Sequence, residues 1–242
     1  MIKFENIAVY GWEEAIRGMR NPMNSWDKID SGYCNTLSAL NKECCDICPI
    51  KDSDPSTCYE KNPYIIGPND LDLMNRLRNA GTDHRKFMRM IVVYTDITAP
   101  LYWWKEFDTY KVGTVANSCS TMHKIHAKKF TLDDFSCEHL MNYGDDELAW
   151  GDWIPLHVLE HVIVILNRQR DKYLETKDKK YWWQMIQLLP SSYNQKRTVM
   201  MNYEVLANIY KSRKKHKLDE WSEGFMVWIK TLPYSELITG EK

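Results

Sequence analysis

The 242-residue sequence has no long apolar run: nothing in it approaches the roughly 18 consecutive apolar residues of a bilayer-spanning helix. The first residues, Met1-Ile-Lys-Phe-Glu-Asn-Ile-Ala8, lack the basic start and apolar core of a secretory leader. A charge excess of either sign is absent too, since 32 Lys and Arg face 33 Asp and Glu for a net charge of −1. No bulk field draws the chain to nucleic acid or to an anionic membrane, so any anion binding must be local. These absences lead us to expect a cytoplasmic protein with neither a membrane nor a nucleic-acid partner. What is present is enough apolar matter for a real core, 44% of residues, with 10 Trp and 14 Tyr. Aromatic surface of that extent serves cores, interfaces and planar-ligand pockets alike. We expect a single domain over 1–242.

Ile2 to Tyr10 reads as a strand, and the spacing of Trp12, Ala15, Ile16 and Met19 as a helix stopped by Pro22. From 24 to 68 the pattern dissolves into a Cys-rich loop or insertion, long for a stretch with no structure of its own. In a reducing compartment its cysteines are expected as thiols or metal ligands. Cys45-Asp-Ile-Cys48 forms a C-x-x-C knuckle, flanked by Cys34 and Cys58, and these four are a candidate tetrahedral thiolate site for structural zinc. The alternative is reduced, unliganded cysteine. A redox C-x-x-C belongs at a helix start in a strand-helix-strand pattern, which this segment lacks.

Asn69 suits an N-cap for a helix over 70–78 that stops at Gly81, and Phe87 to Ile97 carries the clearest strand signal. His84 lies between them. The run from Ala99 to His123 concentrates aromatic faces (Trp103, Trp104, Phe107, Tyr110), cations (Lys105, Lys111) and compact polar groups (Thr114, Asn117, Ser118, Ser120, Thr121). That mixture suits either a site for a planar anion or a buried aromatic turn. Residues 125–147 read as irregular, 156–174 as an amphipathic helix, 181–189 as a further helix ending at Pro190. Within the amphipathic helix, His157-Val-Leu-Glu-His161 matches H-x-x-E-H, in which His157 and His161 share a metal and Glu160 is the base, but no third ligand is identifiable. Residues 198–217 read as partly helical with a basic end, suited to completing a helix dipole or clamping a phosphate, and 220–231 as a last apolar helix.

Over residues 69–225 the chain resembles flavin-dependent thymidylate synthases, which methylate deoxyuridylate using folate and reduced FAD. In that family a helix ending in Gly-His is followed by a strand, a Gln and the run R-H-R-x-x-S-x-N-x-x-S-x-R-Y. Helix 70–78, His84, the strand through Val93 and Ala99-Pro100 follow the same order here. The family also reads L-P, an Asn twelve residues after the Pro, an Asn six further on, and an Arg eleven beyond the first Asn; Leu189-Pro190, Asn202, Asn208 and Arg213 match this spacing. Departures are specific. Thr109-Tyr110-Lys111 replaces R-H-R, Met122 and His123 replace the Arg and Tyr after Ser120, Glu106 replaces the Gln, and Ile186 an Arg before L-P.

The resemblance implies an α+β fold, a mainly antiparallel sheet with packed helices, assembled as a homotetramer with sites between subunits. It implies FAD contacts by His84, Lys111 and Asn208. It implies pyrimidine-nucleotide contacts by Glu106, Asn117, Ser120 and Arg213, with Arg213 also polarising the base as the catalytic residue. The chemistry implied is methylation or reduction of that base. The lost cations support an alternative, a non-catalytic nucleotide-binding or interaction protein on the same scaffold.

Overall fold

The computed structural model describes residues 2–34, 62–142 and 154–241. It shows helices combined with an antiparallel sheet. The main sheet has four strands in the order β1 (Lys3–Tyr10), β4 (Val92–Pro100), β6 (Asn194–Asn202), β5 (Thr114–Ser118). A small antiparallel pair joins β2 (Gly32–Tyr33) to β3 (Tyr64–Ile65), with Tyr33 opposite Tyr64. Among the described residues no helix is long and apolar enough to cross a membrane. The chain divides into two compact units, and the division falls within all four strands of the main sheet.

One unit holds 1–5, 96–110 and 116–198. Here α3 (Leu101–Phe107) buries Trp103, Trp104 and Phe107 to 2% exposure or less, with Trp103 stacked on Phe107 at 5.1 Å between ring centroids and Trp104 edge-on to both. For these three rings the buried aromatic turn is the correct reading, and the planar-ligand platform is not. Their faces are spent on one another. Trp104 also meets the Arg197 guanidinium, 4.1 Å from the ring centroid and held by Asp108 at 2.7 Å, and its indole N–H donates to the Gln195 carbonyl at 2.9 Å. A helical hairpin, α4 (Pro155–Thr176) and α5 (Lys179–Leu188), turns at Lys177 in the left-handed region and closes a core of Phe130, Phe135, Leu159, Ile163, Leu166 and Met185. Buried Asn167 fits in that core because its amide pairs with both the N–H and the C=O of Phe130, each at 2.9 Å.

The other unit holds 6–95, 111–115 and 199–242. It contains α1 (Trp12–Arg20), α2 (Pro68–Asn79), a 3-10 turn (Arg85–Arg89), α6 (Tyr203–Arg213), a π-helical turn (Glu220–Phe225), α7 (Met226–Lys230) and a last turn (Glu236–Thr239). Its centre is the Arg20–Asp70 ion pair, with Asp70 fully buried and Arg20 5% exposed. Arg20 Nε donates to Asp70 Oδ1 at 2.7 Å, while Asp70 Oδ2 accepts from the Asp30 N–H, the Ser31 N–H and the Ser31 hydroxyl.

The expectation that Asn69 caps α2 is corrected. The helix starts at Pro68, whose missing N–H costs nothing at N1, and the cap is supplied from far away in sequence. The Asp30 carboxylate accepts from the Asn69 and Asp70 N–H groups at 2.9 and 3.0 Å. Gly67 is required where it stands, because a Cβ would overlap Asp30. The partly helical reading of 198–217 holds for α6, and the residues before it belong to β6, which runs to Asn202. Val199 and Met201 are buried while their neighbours are less so, a strand period hidden by the apolar Met200 between them. The strand expected over 87–97 begins at Val92 instead, after the 3-10 turn.

Replacing Asp70 by Ala removes one member of a buried pair and leaves Arg20 uncompensated. The expected loss is about 3–5 kcal/mol of unfolding free energy, read from urea denaturation. A loss below about 1 kcal/mol would show that water reaches Arg20 freely.

Candidate functional site

The largest cleft among those found, about 1010 Å³, lies in the second unit. Met19 and Arg20 at the end of α1, Leu73 and Leu77 on α2, and Phe87 in the 3-10 turn supply its walls. His84, Lys86, Lys28 and Arg76 stand around it with Asp72 and Asp83, and Arg76 pairs with Asp72 at 2.9 Å. His84 is exposed and is the residue before the 3-10 turn, whose start is fixed by the Arg85 N–H bonding to Gly81 C=O at 3.1 Å. Gly81 has φ +112°, a conformation L side chains rarely adopt, so the loop can turn from α2 into this position. The cleft thus offers a mostly apolar floor with an imidazole, two lysines and carboxylates at its edges, a chemistry suited to a planar polar ring system.

A smaller cleft, about 410 Å³, is lined by Arg78, Arg85, Lys211 and Lys214 together with Asn208, and by no carboxylate among the described residues. Arg85 Nη2 donates to Asn208 Oδ1 at 2.9 Å, while Arg85 Nε lies 3.5 Å from Glu204 Oε1 and has no hydrogen-bond acceptor among the described residues. Arg89 pairs with the same Glu204 carboxylate. Arg78 has a structural task, since its Nε and Nη2 donate to the Leu237 and Ile238 carbonyls, both at 3.2 Å. Burial, and then the Arg85 charge, push the Arg78 pKa below its usual value. Four cations around one cleft, with Glu204 shared between Arg85 and Arg89, favour an incoming anion.

Of the sequence-predicted residues in this unit, His84 lines the larger cleft and Asn208 the smaller, while Arg213 and Lys111 line neither. His84 and Asn208 are joined through Arg85, and Arg213 ends the same α6 helix, half-buried with its guanidinium 5.2 Å from the Trp221 ring centroid. Lys111 also belongs to this unit and is exposed. Asn202 is occupied as the α6 N-cap, accepting from the Val205 N–H at 2.9 Å. Its amide also fills the space a Cβ at Gly113 would need, 2.6 Å away.

Glu106, Asn117 and Ser120 belong to the other unit. Asn117 and Ser120 are exposed, and the Ser120 hydroxyl caps a short turn by accepting from the His123 N–H at 3.1 Å. Arg78, Arg85, Lys86 and Glu204 were not singled out from sequence. Only the density of cations around His84 and at the end of α6 signalled them.

The zinc expectation falls mostly outside the described residues, which include Cys34 but not Cys45, Cys48 or Cys58. Among the described residues no group of three or more His, Cys, Asp or Glu could hold a metal, and His157 lies 4.0 Å from Glu160 with His161 exposed. The H-x-x-E-H match therefore forms no metal centre there.

No family model and no curated protein matches the chain in sequence. Solved structures do match in fold. Thymidylate synthase X from Helicobacter pylori with FAD and dUMP is similar at TM-score 0.62 and 14% identity, over 100% of this chain and 98% of that one. A flavin-dependent thymidylate synthase from the same organism, complexed with FAD and dUMP, gives 0.59 and 14% over 98% of each. A UMP/dUMP methylase from Streptomyces cacaoi bound with 5-Br UMP gives 0.57 and 11% over 99% of this chain and 94% of that one. The fold is that of flavin-dependent thymidylate synthases, as the L-P…N…N…R spacing implied.

Glu204 is the carboxylate that balances Arg85 and Arg89. In a Glu204→Gln variant, inorganic pyrophosphate should raise the thermal midpoint more than it does in the parent chain. Equal shifts would show that Arg85 does not take part in anion binding.

Proposed function

We propose that the chain is a pyrimidine-nucleotide-binding, flavin-dependent enzyme that methylates or reduces the base. The observation that carries this reading is the 1010 Å³ cleft beside His84, linked through Arg85 and Asn208 to the helix ending in Arg213. The reading draws further support from the fold, shared over nearly the whole chain with proteins crystallised with FAD and dUMP. The residues of the larger cleft fit the ring of FAD, with Met19, Leu73, Leu77 and Phe87 as an apolar floor and His84, Lys28 and Lys86 beside it, while the Arg85 Nε donor faces the smaller cleft. When bound, FAD supplies the electrons. His84 and Asn208 orient the ring, Lys111 adds a cation, and Arg213 holds and polarises the pyrimidine. Glu106, Asn117 and Ser120 contact the nucleotide in a homotetramer whose sites lie between subunits.

A second reading, a nucleotide-binding protein without flavin chemistry, is favoured by Thr109-Tyr110-Lys111 standing where the family carries R-H-R. The two readings separate by colour and heat. The enzyme should purify with the visible spectrum of flavin, or gain thermal stability with added FAD by mass action. A colourless protein that FAD does not stabilise removes the first reading.

Arg213→Ala tests the nucleotide role. Its stacking on Trp221 is worth about 0.5–1 kcal/mol, and the thermal midpoint is read beside the affinity so that a loss of fold is told apart from a loss of ligand. Calorimetric affinity for dUMP should fall at least about tenfold, as expected when a charged hydrogen bond is lost. An unchanged affinity would return Arg213 to a structural role.

A further inference from the structure

A third cleft, about 550 Å³, opens beside the N-terminus of α1, and its chemistry is opposite to that of the sites above. Trp12, Tyr33, Tyr64 and Tyr234 line it with aromatic rings, and Glu13 and Glu14 supply carboxylates. Neither Lys nor Arg is among its described lining residues. The rings are set at angles rather than stacked flat. Tyr33 and Tyr64, opposite one another on β2 and β3, meet edge to face at 5.1 Å and 88°, and Trp12 meets Tyr234 at 5.3 Å and 70°.

Two details show that this arrangement is built rather than left over from packing. Tyr234 has φ +51°, a left-handed backbone rare for a bulky residue, and its hydroxyl accepts from the Ile66 N–H at 2.9 Å. Backbone and hydroxyl together fix where the ring stands. Second, the negative field of the cleft is felt by its own members: burial first, and then the Glu13 and Asp70 charges, push the Tyr64 hydroxyl far above its ordinary pKa.

We propose that this cleft binds a quaternary ammonium group. The faces of Trp and Tyr attract a cation through their quadrupoles, most strongly when the cation is desolvated. A primary ammonium keeps N–H groups that must find acceptors among the rings, whereas a trimethylammonium group has none to satisfy. The Glu13 and Glu14 side chains, both exposed, add a longer-range attraction that salt screens. The same chemistry occurs on a small metabolite and on a methylated lysine side chain. The proposal is independent of the nucleotide reading, since none of these residues lines the His84 or Asn208 clefts.

The test uses the full chain and follows tryptophan fluorescence and calorimetry. Choline and a trimethyllysine peptide are compared with 3,3-dimethylbutanol, the neutral isostere of choline, and with the unmodified peptide. Choline should bind at least about tenfold more tightly than the isostere. That preference should shrink in high salt and in the Glu13→Gln/Glu14→Gln variant. Tyr33→Leu, at a site 44% exposed, should weaken choline binding while the ligand-free protein still unfolds in one cooperative transition, its midpoint lowered only by the lost contact with Tyr64. A methylated peptide binding more tightly than choline assigns the group to a protein partner, and the reverse order assigns it to a small molecule. Equal binding of choline and its isostere, unchanged binding by Tyr33→Leu, or no saturable response to either cation overturns the proposal.

Discussion

The Arg20–Asp70 pair is the constraint from which the second unit is assembled. A carboxylate at 0% exposure is costly to desolvate, and it stands only because its two oxygens accept from Arg20, from two backbone N–H groups and from the Ser31 hydroxyl. Those partners come from the end of α1, from the loop before β2, and, through Asp30, from the start of α2. Three segments far apart in sequence are thereby fixed to one point. The His84 cleft is walled by two of them, α1 and α2, so its shape is a by-product of this polar knot. Leucines and methionines around it fill space, but the directional bonds decide how the two helices meet.

What was legible in the sequence followed from periodicity and local chemistry. β1, α1, α2 and the long α4 helix all announced themselves by spacing that one segment carries alone. The α+β class and the family resemblance rested on residues such as Leu189-Pro190, Asn202, Asn208 and Arg213, whose offsets survive even where chemistry has drifted. What failed was anything needing a distant partner. Asp30 caps a helix forty residues away in sequence, and no window contains both. β6 hid because its outward-facing residues include a methionine, which blurs alternation.

The aromatic run 99–123 shows the same limit from the other side. Composition left ligand platform and core turn equally open, because a tryptophan serves both. Packing decided it: Trp103 stacks on Phe107, Trp104 stands edge-on to both, and Arg197 covers Trp104. The candidate clefts are lined by plainer residues. Arg85 is mostly buried and unremarkable in sequence, yet it follows His84 and reaches both Glu204 and Asn208.

Arg85 also sets what the smaller cleft can offer an anion. Its Nη2 is committed to the Asn208 amide oxygen and its Nε faces the Glu204 carboxylate that Arg89 shares, so an anion entering there competes with Glu204 for the guanidinium. His84, the preceding residue, stands at the larger cleft, so two consecutive residues serve two different cavities.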